Sequence, residues 1–256
     1  MRKVAIFLSL ILTTTIGYGA NNCLEVAQSL WSLQNQIVEK SFEQLTPGAW
    51  AQYNNGFKAV YLGKRVSPNT GKELYVIEYH GRQVGQIWYK ITPKDVTYQG
   101  KIYHFETLEP MEAYALMRGK AYYVSKEMIE TYMGMSGHRR STILEEGTIL
   151  SPPDCSHVPE LRETFINFPG GKKVKATVII STENEAKLYC SPDVPFGMIK
   201  VVSSSGNNSN SDLLDFGFGG GKAKISNKML KESASMPFFP QMGNVEKLPF
   251  KLPKMR

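Results

Sequence analysis

The sequence predicts a mainly β fold of the α+β class, in which antiparallel strands are accompanied by an N-terminal helix and a two-helix insertion. Runs rich in β-branched and aromatic residues alternate with turn signals such as Asn54-Asn55-Gly56 and His80-Gly81-Arg82, which is typical of consecutive hairpins. Apolar residues at helical spacing occur in two regions, near the N-terminus and after Glu109. Apolar residues make up 42% of the chain, which is enough for a globular core.

Residues 1–19 have the pattern of a secretory signal peptide. Arg2 and Lys3 precede an apolar run from Val4 to Leu12, and small and hydroxyl residues follow up to Gly19. The apolar run is too short to cross a bilayer, which takes roughly 20 residues. We therefore expect an exported chain that is cleaved after Gly19.

The region from Cys23 to Gln44 carries apolar residues three to four positions apart and predicts an amphipathic helix that ends before Thr46-Pro47-Gly48. Beyond it the pattern changes to that of strands joined as a meander. The strands predicted in this half are Trp50–Tyr53, Phe57–Arg65, Leu74–Tyr79, Val84–Ile91, Val96–Tyr98 and Ile102–Phe105.

Helical spacing returns at Glu109 and predicts two short helices. The first carries Met111 and Met117, and the second begins at Ser125 with Lys126-Glu127 in its first turn. The strands predicted after this insertion are Ile143–Leu150, Arg162–Phe168, Lys173–Ile180, Ala186–Tyr189, Met198–Ser203, Leu213–Gly219 and Ala223–Ser226.

The net charge of +7 belongs mainly to the C-terminal tail. Residues 227–256 contain six basic and two acidic residues, whereas the preceding domain, residues 20–226, is close to neutral. A neutral domain argues against a nucleic-acid partner. Four prolines in Met236–Arg256 exclude regular structure there. This segment is either a flexible extension or a docking peptide for an envelope protein or an anionic membrane surface.

Three cysteines allow one disulfide in an exported chain. Cys155 and Cys190 each lie beside a proline in a predicted corner, which favours this pair, although the other two pairings stay open. Closing that loop would stabilise the fold by roughly 3 to 4 kcal/mol. Cys23 would then be free or intermolecular. Lipidation of Cys23 is disfavoured, because residues 20–22 are not the small apolar run that such processing needs.

The motif content favours no enzyme activity, cofactor or metal. The sequence has no His-Glu-x-x-His, Cys-x-x-Cys or Gly-x-Ser-x-Gly motif. Its four histidines are scattered over hairpins and loops, so a zinc site would need distant residues to converge. A hydrolase built around Ser136, His138 and Cys155 is the least supported alternative.

Aromatic residues on the predicted strands favour an apolar interior. One face of a curved sheet could carry the large side chains of Trp50, Tyr53, Tyr61, Tyr75, Tyr79 and Tyr89, as a pocket for an apolar ligand requires. The methionines of the insertion suit an adaptable apolar lining. The alternative is a packed core, since sequence patterns do not distinguish a filled interior from an open one.

The strings PGAWAQY at 47–53, IWYK at 87–90 and VPFGMIK at 194–200 resemble those of exported proteins related to the bacterial lipoprotein carriers LolA and LolB. The order of elements over residues 23–226 is also similar. The resemblance implies a half-barrel of about 11 antiparallel strands, closed by helices, with the two-helix insertion as a lid. The carriers are shorter and lack the Pro-rich basic tail, and no single ligand-contact position can be matched.

The resemblance also implies a soluble periplasmic protein that shelters an acyl chain or another apolar ligand and acts in lipid or lipoprotein trafficking. The pocket residues expected are Trp50, Tyr61, Tyr75, Trp88, Met117, Met128, Tyr132 and Met133. The alternative is a cavity-free scaffold of the cell envelope that binds its partners through the C-terminal tail.

Overall fold

The computed structural model describes residues 23–98, 101–135, 158–182, 186–203 and 211–236, and most of them belong to one sheet. The helices are α1 (Cys23–Val38), which continues as a π-helical turn (Glu39–Glu43), α2 (Lys126–Met135) and α3 (Asn227–Lys231). The strands of the first half are β1 (Trp50–Tyr53), β2 (Lys58–Val66), β3 (Glu73–His80), β4 (Val84–Tyr98), β5 (Lys101–Met117) and β6 (Lys120–Ser125). Those of the second half are β7 (Glu160–Asn167), β8 (Lys173–Ile180), β9 (Lys187–Cys190), β10 (Met198–Val202), β11 (Ser211–Gly217) and β12 (Ala234–Ser235).

The twelve strands of the described residues form an open, curled sheet in the order β12-β6-β5-β4-β3-β2-β1-β11-β10-β9-β8-β7. Neighbouring strands are antiparallel except β12 and β6, which are parallel. Consecutive hairpins build two meanders, β1–β6 and β7–β11, and the pairing of β1 with β11 joins them. The predicted mainly β fold with a curved antiparallel sheet is therefore confirmed.

The predicted N-terminal helix forms as α1 and its π-helical turn. It packs on one face of the sheet, called the inner face below; the opposite face is called the outer face. Trp31 stacks with Phe105 of β5 at 6.2 Å between ring centroids, while the preceding Leu30 packs against Leu161 of β7 and Ile179 of β8. Because one helical turn touches strands near both ends of the sheet order, the sheet curls around α1.

The β4–β5 hairpin extends past its neighbours and forms an arm along α1. Strand β3 pairs with β4 only as far as Tyr89, and β6 pairs with β5 only from Glu112 onward. The arm is tied to α1 by the Gln34 amide, which donates to the Glu106 carbonyl at 3.0 Å, and by Asn35, whose side-chain oxygen accepts from the Glu106 N–H at 3.0 Å. These contacts fix α1 over the inner face.

The helix predicted from Glu109 is wrong, since these residues form the second half of β5. Strands β4 and β6 pair with them on both sides, so that Tyr114 lies opposite Gln86 and Tyr123. A short apolar run is compatible with the periodicity of a helix or of a strand. The hydrogen-bonded ladders on both sides of this segment stabilise the strand. Pro110 is tolerated because the ladder shifts register beside it.

The predicted two-helix insertion is thus represented by α2 alone among the described residues. Helix α2 begins where the sequence predicts, with the Met128 N–H donating to Ser125 Oγ at 3.4 Å. The predicted strand Ile143–Leu150 and the signal peptide 1–19 lie outside the described residues. None of the described helices is long and apolar enough to cross a membrane.

The segment after β11 lies across the outer face, and we call residues 221–236 the C-terminal strap. The strand predicted at Ala223–Ser226 is wrong, and the first ten residues of the predicted tail hold α3 and β12. Ile225 and Leu230 are buried in a cluster with Val60 and Trp88 of the sheet. The sheet is therefore covered on both faces along β2–β5.

Candidate functional site

Five of the six aromatic residues expected on one face do share the inner face. Strand alternation places Tyr75 and Tyr79 on the same side of β3, and both pack in the inner cluster with the three buried rings of Tyr53, Tyr61 and Tyr89. Trp50 belongs to the cluster on the outer face, where the ammonium group of Lys58 lies 4.2 Å from its ring centroid. The inner face is thus lined by tyrosines.

Phe42, in the π-helical turn, occupies the centre of this aromatic surface. Its ring centroid lies 6.4 Å from the ring centroids of Tyr61, Tyr75, Tyr89 and Phe196. The Tyr61 hydroxyl donates to the Phe42 carbonyl oxygen at 2.8 Å. Short π-helical segments often occur at functional sites, and this one sets a phenyl ring over the middle of the sheet.

The corner 191–197 fixes the π-helical turn from its other side. The ammonium group of Lys40 lies 2.8 Å from a carboxylate oxygen of Asp193. Gly197 has a φ of 73°, and a Cβ atom there would lie 2.5 Å from Ile37 Cγ2. A side chain at this position would therefore push α1 away from the corner, which explains the glycine.

Between α1 and the inner face lies a cavity of about 40 Å³. On the same measure one water molecule needs roughly 10–15 Å³, and pockets for small ligands have about 300–1,000 Å³. The cavity is therefore closed to any chain-like ligand in this structure. Its lining residues are Gln34, Ile37, Val38, Phe42, Tyr53, Phe57, Ala59, Ile77, Tyr79, Tyr89, Leu108, Phe196 and Met198.

The polar groups of this lining are uncharged. The hydroxyls of Tyr79 and Tyr89 lie 2.9 Å apart, and the Tyr53 hydroxyl donates to the Met198 carbonyl at 3.2 Å. Burial raises the pKa of Tyr79 to about 12 and the pKa of Tyr89 well above its usual value, so both phenols stay neutral. A site of this kind suits an uncharged, apolar molecule, because a charge placed there would lose its hydration without a countercharge.

The eight residues expected in the pocket are dispersed. Tyr61 and Tyr75 pack around Phe42, beside the cavity, whereas Trp88 is buried in the outer cluster. Met117 lines a separate depression on the surface, and Met128 lies in the first turn of α2. The side chains of Tyr132 and Met133 lie outside the described part of the chain.

The sequence reasoning missed Phe42, Leu108 and Phe196 as lining residues. The parity of positions in β3 and β4 would have separated the two faces, since Tyr89 and the adjacent Trp88 must point to opposite sides. Phe42 had no such signal, because the π-helical turn changes the face on which a helical residue lies.

The expected disulfide between Cys155 and Cys190 is wrong, because Cys190 is a free thiol. Its side chain is fully buried in the inner cluster, and burial raises the pKa of this thiol to about 12. A thiol so placed is a neutral core residue. Cys155 itself lies outside the described residues.

The described histidines make local pairs. His80 contacts Glu78 at 2.6 Å and His104 contacts Asp95 at 2.6 Å. No group of three or more His, Cys, Asp or Glu side chains in the described ranges is arranged to hold a metal ion. Ser136, His138 and Cys155, the residues of the hydrolase alternative, lie outside these ranges.

Comparisons with models of protein families, with curated proteins and with solved structures find no match. The resemblance to the lipoprotein carriers therefore rests on the short strings and the order of elements.

Proposed function

We propose that the protein binds an acyl chain or another apolar ligand between α1 and the inner face, as an exported carrier in lipid or lipoprotein trafficking. The observation that carries the proposal is the cavity beneath Phe42, which is lined by apolar residues and neutral hydroxyls and amides. Transfer of the ligand from water would drive binding, at ~0.8 kcal/mol for each buried methylene.

Because the cavity is too small for a chain-like ligand, binding requires movement, and the element that covers the cavity is α1 with its π-helical turn. These residues precede β1 and are joined to it through residues 44–49, where Gly48 has a φ of 94°. Displacing Phe42 would open the space between the four rings that surround it. The lid of this proposal is therefore the N-terminal helix, and not the methionine-bearing insertion.

The test is uptake of a fluorescent fatty acid by the purified protein, together with mass spectrometry of an organic extract. We expect saturable uptake and co-purified lipid. Ala59→Leu places extra volume in the cavity lining and should weaken uptake several-fold. Ala121→Leu adds the same volume at a buried site in the outer cluster and should leave uptake unchanged. A protein that holds no lipid and takes up no fatty acid would rule out the carrier.

A second candidate function, a scaffold of the cell envelope, is favoured by the small volume of the same cavity, about 40 Å³. In that case the C-terminal tail would bind a partner protein. Deleting Pro237–Arg256 tests it, since Met236 is buried and its N–H donates to the Tyr123 carbonyl at 2.8 Å. Loss of the partner in a pull-down, with an unchanged melting temperature, would support the scaffold.

A further inference from the structure

A second concave site lies at one end of the sheet, where two hairpin turns meet. The turn between β3 and β4 and the turn between β5 and β6 border a shallow, solvent-open surface depression of about 560 Å³. Arg82 lies on the first turn and Arg118 on the second, and both line it. Val84 and Leu116, which are direct partners in the β4–β5 ladder, also line it, as does Met117.

The backbone at Arg118 is unusual. Arg118 and Gly119 form a two-residue hairpin loop with φ values of 49° and 79°. Such loops require left-handed backbone at both residues and are normally made by Asn, Asp or Gly. An arginine held in this conformation is strained, and strained residues concentrate at binding sites. Arg118 is one of the residues that line the depression.

The depression carries positive charge that no described carboxylate pairs with. Arg82 and Arg118 are exposed, and neither takes part in an ion pair with a described residue. No carboxylate is among the residues that line it. Lys120, exposed and opposite Met117 in the β5–β6 ladder, adds a third cation beside it.

We propose that this depression binds the phosphate group of an amphiphile, as presented by the headgroup of an anionic lipid. Guanidinium groups bind phosphate through paired N–H donors, and the apolar residues that line the same depression suit the alkyl part of the same molecule. The site is separate from the inner cavity and does not depend on the acyl-chain proposal.

The test uses the full chain and measures binding to phosphatidylglycerol vesicles, phosphatidylcholine vesicles, inorganic phosphate and glycerol 3-phosphate. We expect binding to the anionic vesicles and none to the neutral ones. Arg82→Gln and Arg118→Gly should each weaken vesicle binding roughly fivefold, the loss expected for one cation near an anionic surface. Arg118→Gly also relieves the left-handed strain, so its melting temperature should not fall and the loss cannot be ascribed to unfolding.

Lys94→Gln is the matched control, because it removes one exposed charge from β4, away from the depression. Binding reduced by the arginine variants and not by Lys94→Gln supports the site. If only the soluble phosphates bind, and the arginine variants bind them more weakly than wild type, the depression is a phosphate site whose ligand is soluble and not a lipid headgroup. The proposal is overturned if none of the anions binds, if the arginine variants bind as wild type, or if Lys94→Gln loses as much affinity.

Discussion

The carboxylate of Glu78 accepts a hydrogen bond of 2.9 Å from the backbone N–H of Ile225. Through this contact a charged group on β3, with a fully buried side chain, holds the C-terminal strap on the outer face. The same carboxylate also accepts from the Lys224 N–H at 2.5 Å and from the Gln86 amide at 2.9 Å, and it contacts His80 at 2.6 Å. One ionised side chain therefore accepts two of the backbone hydrogen bonds that hold the strap on the sheet.

We predict that Glu78→Gln destabilises the protein by about 2 to 4 kcal/mol at pH 7, because an amide cannot accept from all of these donors and leaves buried N–H groups unpaired. Urea unfolding monitored by tryptophan fluorescence measures the loss. Glu73→Gln, at an exposed position of the same strand, is the control and should change the free energy of unfolding by less than about 0.5 kcal/mol.

The contribution of Glu78 should depend on pH. Burial opposes ionisation, but the hydrogen bonds from His80, Gln86, Lys224 and Ile225 outweigh it and hold the pKa of Glu78 below its usual value. The stabilisation is thus complete above the unfolded value of about 4.3 and is lost as the pH falls through the lower folded pKa. The difference in the free energy of unfolding between wild type and Glu78→Gln should therefore decrease in acid. A difference that stays constant down to pH 2 would contradict this prediction.

Glu112, also fully buried on the outer face, shows the opposite behaviour. Burial raises the pKa of Glu112, although the nearby hydroxyls of Ser67 and Tyr114 partly offset it. Neither carboxylate oxygen is in hydrogen-bonding geometry with a described residue, so the ionised form is poorly satisfied. We predict that Glu112→Gln is more stable than wild type by roughly 1 to 2 kcal/mol at pH 8.

The sign of this effect follows from the raised pKa. The destabilisation by Glu112 is absent below the unfolded value of about 4.3 and grows as the pH rises through the higher folded pKa. Urea unfolding of both proteins between pH 4 and pH 8 should show a difference that increases with pH. A Glu112→Gln variant that is less stable at pH 8 would mean that the carboxylate has a partner in solution.

Because Cys190 is a free, buried thiol, a disulfide within one chain can join only Cys23 and Cys155. We predict this bond in protein isolated under oxidising conditions. Closing a loop of more than 100 residues would stabilise the fold by about 4 to 5 kcal/mol on the chain-entropy model. Peptide mapping without reductant should find the linked peptides, and Cys190 should react with a thiol reagent only after unfolding.

The controls for the disulfide are single substitutions. Cys23→Ser and Cys155→Ser should lower the melting temperature by the same amount, since each removes the same bond. The prediction is wrong if the protein, unfolded without reductant, reacts with three equivalents of thiol reagent or if Cys190 is found in a linked peptide.

Local patterns gave the right element wherever one pattern dominated. The apolar spacing from Cys23 predicted α1, and the turn at Asn54-Asn55-Gly56 predicted the β1–β2 hairpin, because both signals lie within one element. After Glu109 no single periodicity dominates the sequence, and the structure of these residues depends on their pairing with β4 and β6. The strap was not predictable, since its place depends on Glu78, which is 147 residues away from Ile225 in sequence.

The candidate site was predictable only as a set of tyrosines. Tyr53, Tyr61, Tyr75, Tyr79 and Tyr89 lie on the four neighbouring strands β1–β4, and the alternation of side chains along each strand fixes their common face once the strand pairing is known. The position of Phe42 depends on the π-helical turn, for which the sequence carries no known signal. The near-complete filling of the interior depends on how closely α1 approaches the sheet, which is a property of packing at Gly197 and Ile37.

The close approach of α1 to the corner at Gly197 can be tested by substitution. In Gly197→Ala the new Cβ would lie 2.5 Å from Ile37 Cγ2, so the end of α1 must shift outward. Gly71 has a similar backbone conformation, with a φ of 67° against 73° at Gly197, but no atom lies within 4 Å of a Cβ there. Both alanine variants lose about 1 kcal/mol from the left-handed backbone; Gly197→Ala should lose a further 1 to 3 kcal/mol, roughly, from overpacking.

The stability that Gly197→Ala loses beyond the loss in Gly71→Ala measures the clash with Ile37. A double-mutant cycle tests this assignment. Ile37→Ala removes the clashing atoms, so its cost should be smaller in the Gly197→Ala background than in wild type. If α1 is the lid, Gly197→Ala should also take up a fluorescent fatty acid faster than wild type, whereas Gly71→Ala should not. Equal losses of stability in the two alanine variants would show that the corner does not hold α1 against the sheet.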